Sequence, residues 1–313
     1  MMMGHRTTML GVFFATCCFT LLIIPVTVRA QEPANDVAPS PDPVTLVWKW
    51  KAGDTQKIEM ITSIKTSVNT AGKVQESTTK ITTHLLWKVE ATSEKETTLT
   101  QSVDRLMMEM RTPELGEVRY DSAAKSRPVG VQAIIADAVQ PLLTKKHTLQ
   151  LTPRGEVTIT PIQEEAAAEE SPEKATSEKA PSAEAAMAKT ILLLPEKPVK
   201  IGDQWMQTVL SPGREAAPPL ELETTYRLES VKSNPSVAMI KTTSKVNTAA
   251  GEGKADTLKI IEEVQSGETN FDIDKGRVQT AAQTNKLTTE KKYRETTIRT
   301  TIETSITTKF LEE

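Results

Sequence analysis

An antiparallel, mainly β fold is what this 313-residue chain predicts. Three observations carry that reading. From Gln56 to Thr70 apolar and polar side chains alternate with a period of two, the rhythm of a half-buried strand. Similar runs recur along the chain and are separated by short turns built on Gly, Asp and Pro, so neighbours should pair antiparallel. Thr and Val, which suit a pleated surface, fill the runs. The expected architecture is a curved sheet or half-barrel meander with one amphipathic helix packed on it.

The first thirty residues stand apart. Met1 to Ala30 has the three parts of an export signal: His5 and Arg6 with no acid before Glu32, an apolar stretch from Met9 to Val26, and Val28-Arg29-Ala30 where a signal peptidase reads. The rival is a membrane anchor, which needs about 20 apolar residues. Pro25 and the polar Thr7, Thr8, Thr16, Thr20 and Thr27 dilute the run and favour cleavage. Thr16, not Gly or Ala, precedes Cys17, which argues against lipidation. Cys17 and Cys18 leave with the signal, so the exported chain has no disulfide, no thiolate metal site and no thiol chemistry. The expected location is the periplasm or the extracellular space, with no stable transmembrane segment after processing.

The formal charge of −3 gives no electrostatic footprint for nucleic acid and no polybasic membrane patch, and the 4% aromatic content argues against stacking platforms for bases or sugars. Residues 31–43 form a Pro, Ala and Asp-rich leader expected to be disordered. The N-terminal β-rich half, residues 44–162, begins with a strand at Val44 to Trp50, whose Leu46, Trp48 and Trp50 share one face. Lys51-Ala52-Gly53-Asp54 is a turn. After the Gln56 to Thr70 strand and the turn at Ala71-Gly72-Lys73, a strand from about Val74 to Thr92 turns Ile81, Leu85, Trp87, Val89 and Ala91 inward. Another runs from Glu96 to Arg111; its apolar register slips between Val103 and Leu106, which a β-bulge near Asp104 explains. Glu117 to Ser122 is a short strand.

Val131 to Leu143 is the one helical pattern. Val131, Ile134, Ile135, Ala138, Val139 and Leu142 fall at three-and-four spacing, so the helix should cover a face of the sheet. A hairpin follows at Thr148 to Thr152 and Glu156 to Thr160. Residues 163–189 then switch to Ala, Glu, Lys, Ser and Pro; seven Glu and three Lys lie between Glu164 and Lys189, the composition of a disordered linker.

The C-terminal β-rich half, residues 190–313, repeats the vocabulary of the first. Pro198 to Asp203 opens a strand through Trp205, and Leu220 to Val231 and Ser236 to Val246 follow. Leu258 to Val264, Glu268 to Ile273, Arg277 onward and Arg294 to Phe310 complete the set. Gly53-Asp54 matches Gly202-Asp203, and Glu117 to Asp121 matches Glu268 to Asp272, at similar offsets; the pair points to an internal duplication. The rival is that Gly-Asp turns are common in β proteins.

Leu46 to Asp54, Glu117 to Ser122, Leu194 to Trp205 and Phe271 to Val278 together resemble an uncharacterised family of secreted proteins, frequent in planctomycete-type bacteria and classed as a domain of unknown function. The resemblance implies export and a β-rich body. It carries over no activity and no functional residue.

Few residues offer chemistry. Ser122-Ala123-Ala124-Lys125 has the serine–lysine spacing of penicillin-binding enzymes, but the companion Ser-Asp-Asn and Lys-Thr-Gly motifs are missing, and a polar turn is the plainer reading. Asp272-Ile273-Asp274-Lys275-Gly276 resembles the opening of a calcium loop, with Lys275 in place of an acid and Gln283 where the bidentate Glu belongs, so a tight turn is favoured. His84 is expected to face solvent and His147 to lie in a loop, a poor basis for a metal site or a Ser–His pair. Gly251 and Gly253 form a short polar turn rather than a phosphate loop. Trp48, Trp50 and Trp87 should anchor the core, or line a ligand cavity between sheet and helix.

These readings name no catalytic, cofactor-binding or metal-binding residue and no cofactor. They favour a non-enzymatic binding or structural protein of the bacterial cell envelope, its partner an apolar ligand or an envelope protein. The alternative is an envelope-acting hydrolase using carboxylates or the Ser122/Lys125 pair. A purely scaffolding role is the third.

Overall fold

The structure, a computed structural model, describes residues 42–161, 191–211, 220–248, 259–293 and 296–311. The expected export signal, nearly all of the expected leader, the expected 163–189 linker and Gly251 and Gly253 lie outside them. The elements in chain order are β1 (Thr55–Thr70), β2 (Lys73–Thr92), β3 (Thr97–Thr112), β4 (Gly116–Asp121), α1 (Val131–Thr144), β5 (His147–Leu151) and β6 (Val157–Pro161). The second half adds β7 (Gln204–Ser211), β8 (Leu220–Ser233), β9 (Ser236–Thr248), β10 (Lys259–Asp272), β11 (Arg277–Tyr293) and β12 (Thr296–Leu311).

All twelve strands form one sheet, ordered β6-β5-β3-β2-β1-β12-β11-β10-β9-β8-β7, with β4 as a side strand on β3. Every pairing is antiparallel. The sheet is open: among the described residues, β6 and β7 are its two edges. One edge of β3 is shared. β5 pairs with Thr97–Gln101 and β4 with Met107–Thr112, and α1 bridges the gap between them.

The expected bulge is present. His84 faces Arg105 while Leu85 faces Val103, which leaves Asp104 as the extra residue. The bulge returns Leu106 and Met108 to the face that Val103 and Leu99 share.

Two of the strand expectations need correction. Residues 44–50 join no strand ladder: Val44 makes a single bridge with Val199, and the backbone N–H groups of Trp48 and Lys49 donate to the carbonyls of Pro153 and Gly276. The segment crosses the sheet's inner face, and the turns of two hairpins satisfy its donors. The strands expected at Leu258 to Val264 and Glu268 to Ile273 are one strand, β10, with a register shift between Ile260 and Glu262. Gly267 does not break it; a Cβ there would come within 3.1 Å of the Ala282 carbonyl, so glycine permits close approach to β11.

The two halves share a plan. In the first, Gly53 N–H donates to Val89 O, Val89 N–H to Asp54 O, and Asp54 N–H to Lys51 O. In the second, Gly202 donates to Leu228, Leu228 to Asp203, and Asp203 to Lys200. Both glycines hold positive φ, +89° and +96°, which favours glycine. Strands β1-β2-β3-β5-β6 and β7-β8-β9-β10-β11 are then meanders running the same way across the sheet. The second sequence match is displaced, however. Glu117–Asp121 is the side strand β4, whereas Glu268–Asp272 ends β10 in the main sheet, the place that β5 occupies in the first half.

The main core lies on one face of the sheet and draws on both halves: Ile58, Leu85, Trp87, Val89, Leu99, Leu149 and Leu151 meet Tyr226, Leu228, Ile240, Phe271 and Val278. Residues 44–50 and 191–199 cover it. Leu46 and Ile191–Leu194 are all buried, and Leu192 and Leu193 accept hydrogen bonds from the indoles of Trp48 (3.1 Å) and Trp205 (2.7 Å). Trp48 stacks on Trp50 at 5.5 Å and meets Phe271 edge-on, while Trp87 meets Phe310 edge-on. A smaller core joins Ile135 and Val139 of α1 to Leu106 and Met108 of β3. The expected apolar stripe is narrower than the sequence suggests: Ile134 is 47% exposed.

Candidate functional site

Side chains directly opposite one another on neighbouring strands share a face. The register therefore lines up two rows on the face turned away from the tryptophans. The first runs Glu117–Arg111–Thr78–Lys65–Glu303–Lys286 across β4, β3, β2, β1, β12 and β11. The second runs Arg119–Glu109–Lys80–Ser63–Ser305–Thr284 across the same strands. With Val264 of β10 these residues wall a groove of about 650 Å³. Seven strands contribute to it, so the sheet is concave on this side here, as a strongly twisted sheet allows.

The groove is polar and charged, with no aromatic side chain in its wall. Glu117 accepts from Arg111 (3.0 Å) and Arg119 (2.6 Å), and the Arg111 hydrogen bond leads in holding its carboxyl below the usual range. Lys65 pairs with Glu76 at 2.9 Å, which raises the lysine above its ordinary value. Lys286 pairs with Glu262 at 2.7 Å. These groups remain well exposed, so the pairs add little to stability. Their effect is to hold alternating charges at the roughly 4.8 Å spacing of neighbouring strands.

On the tryptophan side, Glu263 of β10 lies opposite Leu287, and burial pushes its carboxyl up to about 8. Asn285, one step along the same face of β11, holds a buried amide oxygen with no hydrogen-bond partner. The cavity bordering the main core, between Trp48, Leu192, Met60 and Phe310, is about 40 Å³, room for roughly one water.

The residues singled out in the sequence are not brought together. Ser122 extends the β3–β4 pairing: its hydroxyl accepts from Leu106 N–H at 2.9 Å, and its own N–H donates to Leu106 O. Lys125 is exposed three residues on, before α1 begins. Neither occupies the start of a helix, which the serine–lysine mechanism requires.

Asp272 is buried and spends both carboxylate oxygens within its own hairpin, accepting from Lys275 N–H of the turn (2.7 Å) and the Gln279 amide of β11 (3.0 Å). Lys49 clamps that turn through the carbonyls of Ile273 and Asp274. Gln283 lies on β11 opposite Gly267, away from the turn. No group of metal-binding side chains occurs among the described residues. His84 is half-buried, 3.6 Å from Glu59 on the face opposite the core. His147 is not in a loop; it opens β5, buried opposite Gln101.

The charged rows could not be found from periodicity, because their partners come from opposite ends of the chain. The alternating Lys, Glu and Ser of each strand's second face was the visible part of the signal.

Fold and groove together define an open antiparallel sheet that keeps an apolar core on one face and a charged concave surface on the other. The chain belongs to a family of unknown function (DUF6263), whose model matches residues 94–289. No curated protein matches it. Among solved structures, DynF from the dynemicin biosynthesis pathway of Micromonospora chersina aligns at 7% identity and TM-score 0.20, over 92% of this chain and 95% of that one. An outer membrane channel of Pseudomonas putida F1 aligns at 9% and 0.21, over 87% and 100%. A DUF1329 family protein of Desulfovibrio piger ATCC 29098 aligns at 11% and 0.13, over 78% and 83%. At these TM-scores the likenesses carry no argument about fold or function. No helix among the described residues is long and apolar enough to cross a membrane.

Proposed function

We propose that this chain is an exported, non-enzymatic binding protein of the bacterial cell envelope whose charged groove takes a polar ligand bearing ionised groups. The observation that supports it is the groove itself: about 650 Å³, within the size range of ligand sites, floored by Arg111, Lys65, Lys80 and Lys286 with Glu109, Glu117 and Glu303 interleaved. Such a surface recognises charge pattern rather than apolar bulk. The space beside the tryptophans, at about 40 Å³, is far too small for a lipid chain. The Met1 to Ala30 sequence supports export.

Native mass spectrometry of protein purified from its own host tests the reading. The wild-type chain should begin at Gln31 and carry an added mass that high salt releases. The doubly substituted Lys80→Glu/Arg111→Glu protein should fold normally and lack that mass. A wild-type chain with no added species, or an adduct that survives both substitutions, overturns the groove as the binding surface.

A further inference from the structure

At the opposite extreme from the main core, β2, β1, β12, β11 and β10 end side by side, and their last rungs differ from the rest of the sheet. Lys73, Thr70, Ile298 and Lys291 form one rung, with Lys292 beside it opposite Thr297. Val74, Asn69, Arg299, Glu290 and Lys259 form the next, and Gln75, Val68, Thr300, Thr289 and Ile260 the third. Across these rungs stand five basic side chains, Lys73, Lys259, Lys291, Lys292 and Arg299, against the single acid Glu290. All five are exposed, and none pairs with an acid among the described residues. The next rung inward carries Glu76 and Glu262, so this basic run stops there, a local feature that the chain's net charge of −3 hides.

The same end exposes aliphatic side chains. Val74 is 56% exposed, Ile260 44% and Ile261 37%. Five neighbouring strands span roughly 20 Å at about 4.8 Å each; successive rungs turn to opposite faces, so Val74 and Ile260 flank the basic groups from the two faces of one sheet end. Aliphatic side chains flanked by lysines are the chemistry of an interface with anionic lipid: the ammonium groups meet headgroup phosphates while the aliphatics enter the acyl boundary.

We propose that this end of the sheet seats the protein on an anionic phospholipid surface. The proposal is independent of the groove and holds whatever the groove binds. It assigns a peripheral contact, made by strand ends, and no spanning segment.

The test is co-sedimentation of the processed full-length chain with vesicles of phosphatidylglycerol and phosphatidylethanolamine, against vesicles of phosphatidylcholine alone. Binding should require phosphatidylglycerol and weaken as salt is added. Near an anionic surface, each lysine lost lowers partitioning about fivefold, so Lys73→Gln/Lys291→Gln should weaken binding about 25-fold. Val74→Ser/Ile260→Ser should also weaken it, by losing the apolar contact. Lys57→Gln/Lys88→Gln, which removes the same charge from the far end of the strands, should bind as wild type. Matching melting temperatures show that all variants fold. Failure to bind phosphatidylglycerol vesicles overturns the proposal, as do equal binding to phosphatidylcholine and binding that survives the lysine and aliphatic substitutions. A protein-only contact at this edge would give the first of these results.

Discussion

Glu263 stands on the inner face of β10 opposite Leu287, and burial holds its carboxyl protonated up to about pH 8. In the unfolded chain it ionises near its ordinary value of 4.5. Below that value both states carry the proton and the residue is neutral to folding. Between pH 4.5 and 8 the unfolded state sheds its proton and the folded state keeps it, so stability falls as pH rises. Glu263→Gln should therefore leave stability unchanged at pH 4 and raise it at pH 8, the gap widening steadily between; urea midpoints across that range measure it. A gap that is flat with pH would mean the carboxyl is solvated. The core tryptophans were legible at this scale, because alternation assigns a face. Glu263 was not, since its setting depends on which strand lies beside β10.

At the scale of elements, α1 shows how a sequence pattern and a packing contact differ. Six apolar positions mark one broad face, yet Ile135 and Val139 are buried against β3 and β4 while Ile134 looks outward. Ile135→Ala should cost about 2–5 kcal/mol, and Ile134→Ala no more than about 0.5 kcal/mol, read from urea unfolding. Similar losses from both would place Ile134 in the core. The period-two strands and the Asp104 bulge were readable because each is a local property of alternation. Ile191–Leu194 passed unread despite being fully apolar up to Pro195: a short run without period is equally a strand, a helix or a buried crossing. Its partners, the indoles of Trp48 and Trp205, are set by tertiary structure.

At the scale of the molecule, strand order was the least legible property. Hairpins predict sequential neighbours, and the sheet obeys that within each half. The seam between halves is β1 on β12, where Lys57 faces Leu311; no local signal announces such a distant pairing. The matched Gly-Asp turns did reveal the shared plan, and the displaced second match failed because β4 and α1 interrupt only the first copy. Because one core contains residues of both halves, thermal unfolding should be a single transition. Far-ultraviolet circular dichroism and tryptophan fluorescence should give the same midpoint, with Trp48, Trp50 and Trp87 reporting on the first half and Trp205 on the second. Two separated transitions would show that the halves melt independently.

The seam also constrains the order of events when the chain is made. Trp48 and Lys49 are held by the carbonyls of Pro153 and Gly276, and β1 finds its second neighbour only in β12. A nascent polypeptide thus emerges with β1 waiting for β12. Until synthesis is nearly finished β1 keeps one ladder unmade, and the indole of Trp48 has no carbonyl to meet before Leu192 has been added. Such long-range closure slows folding.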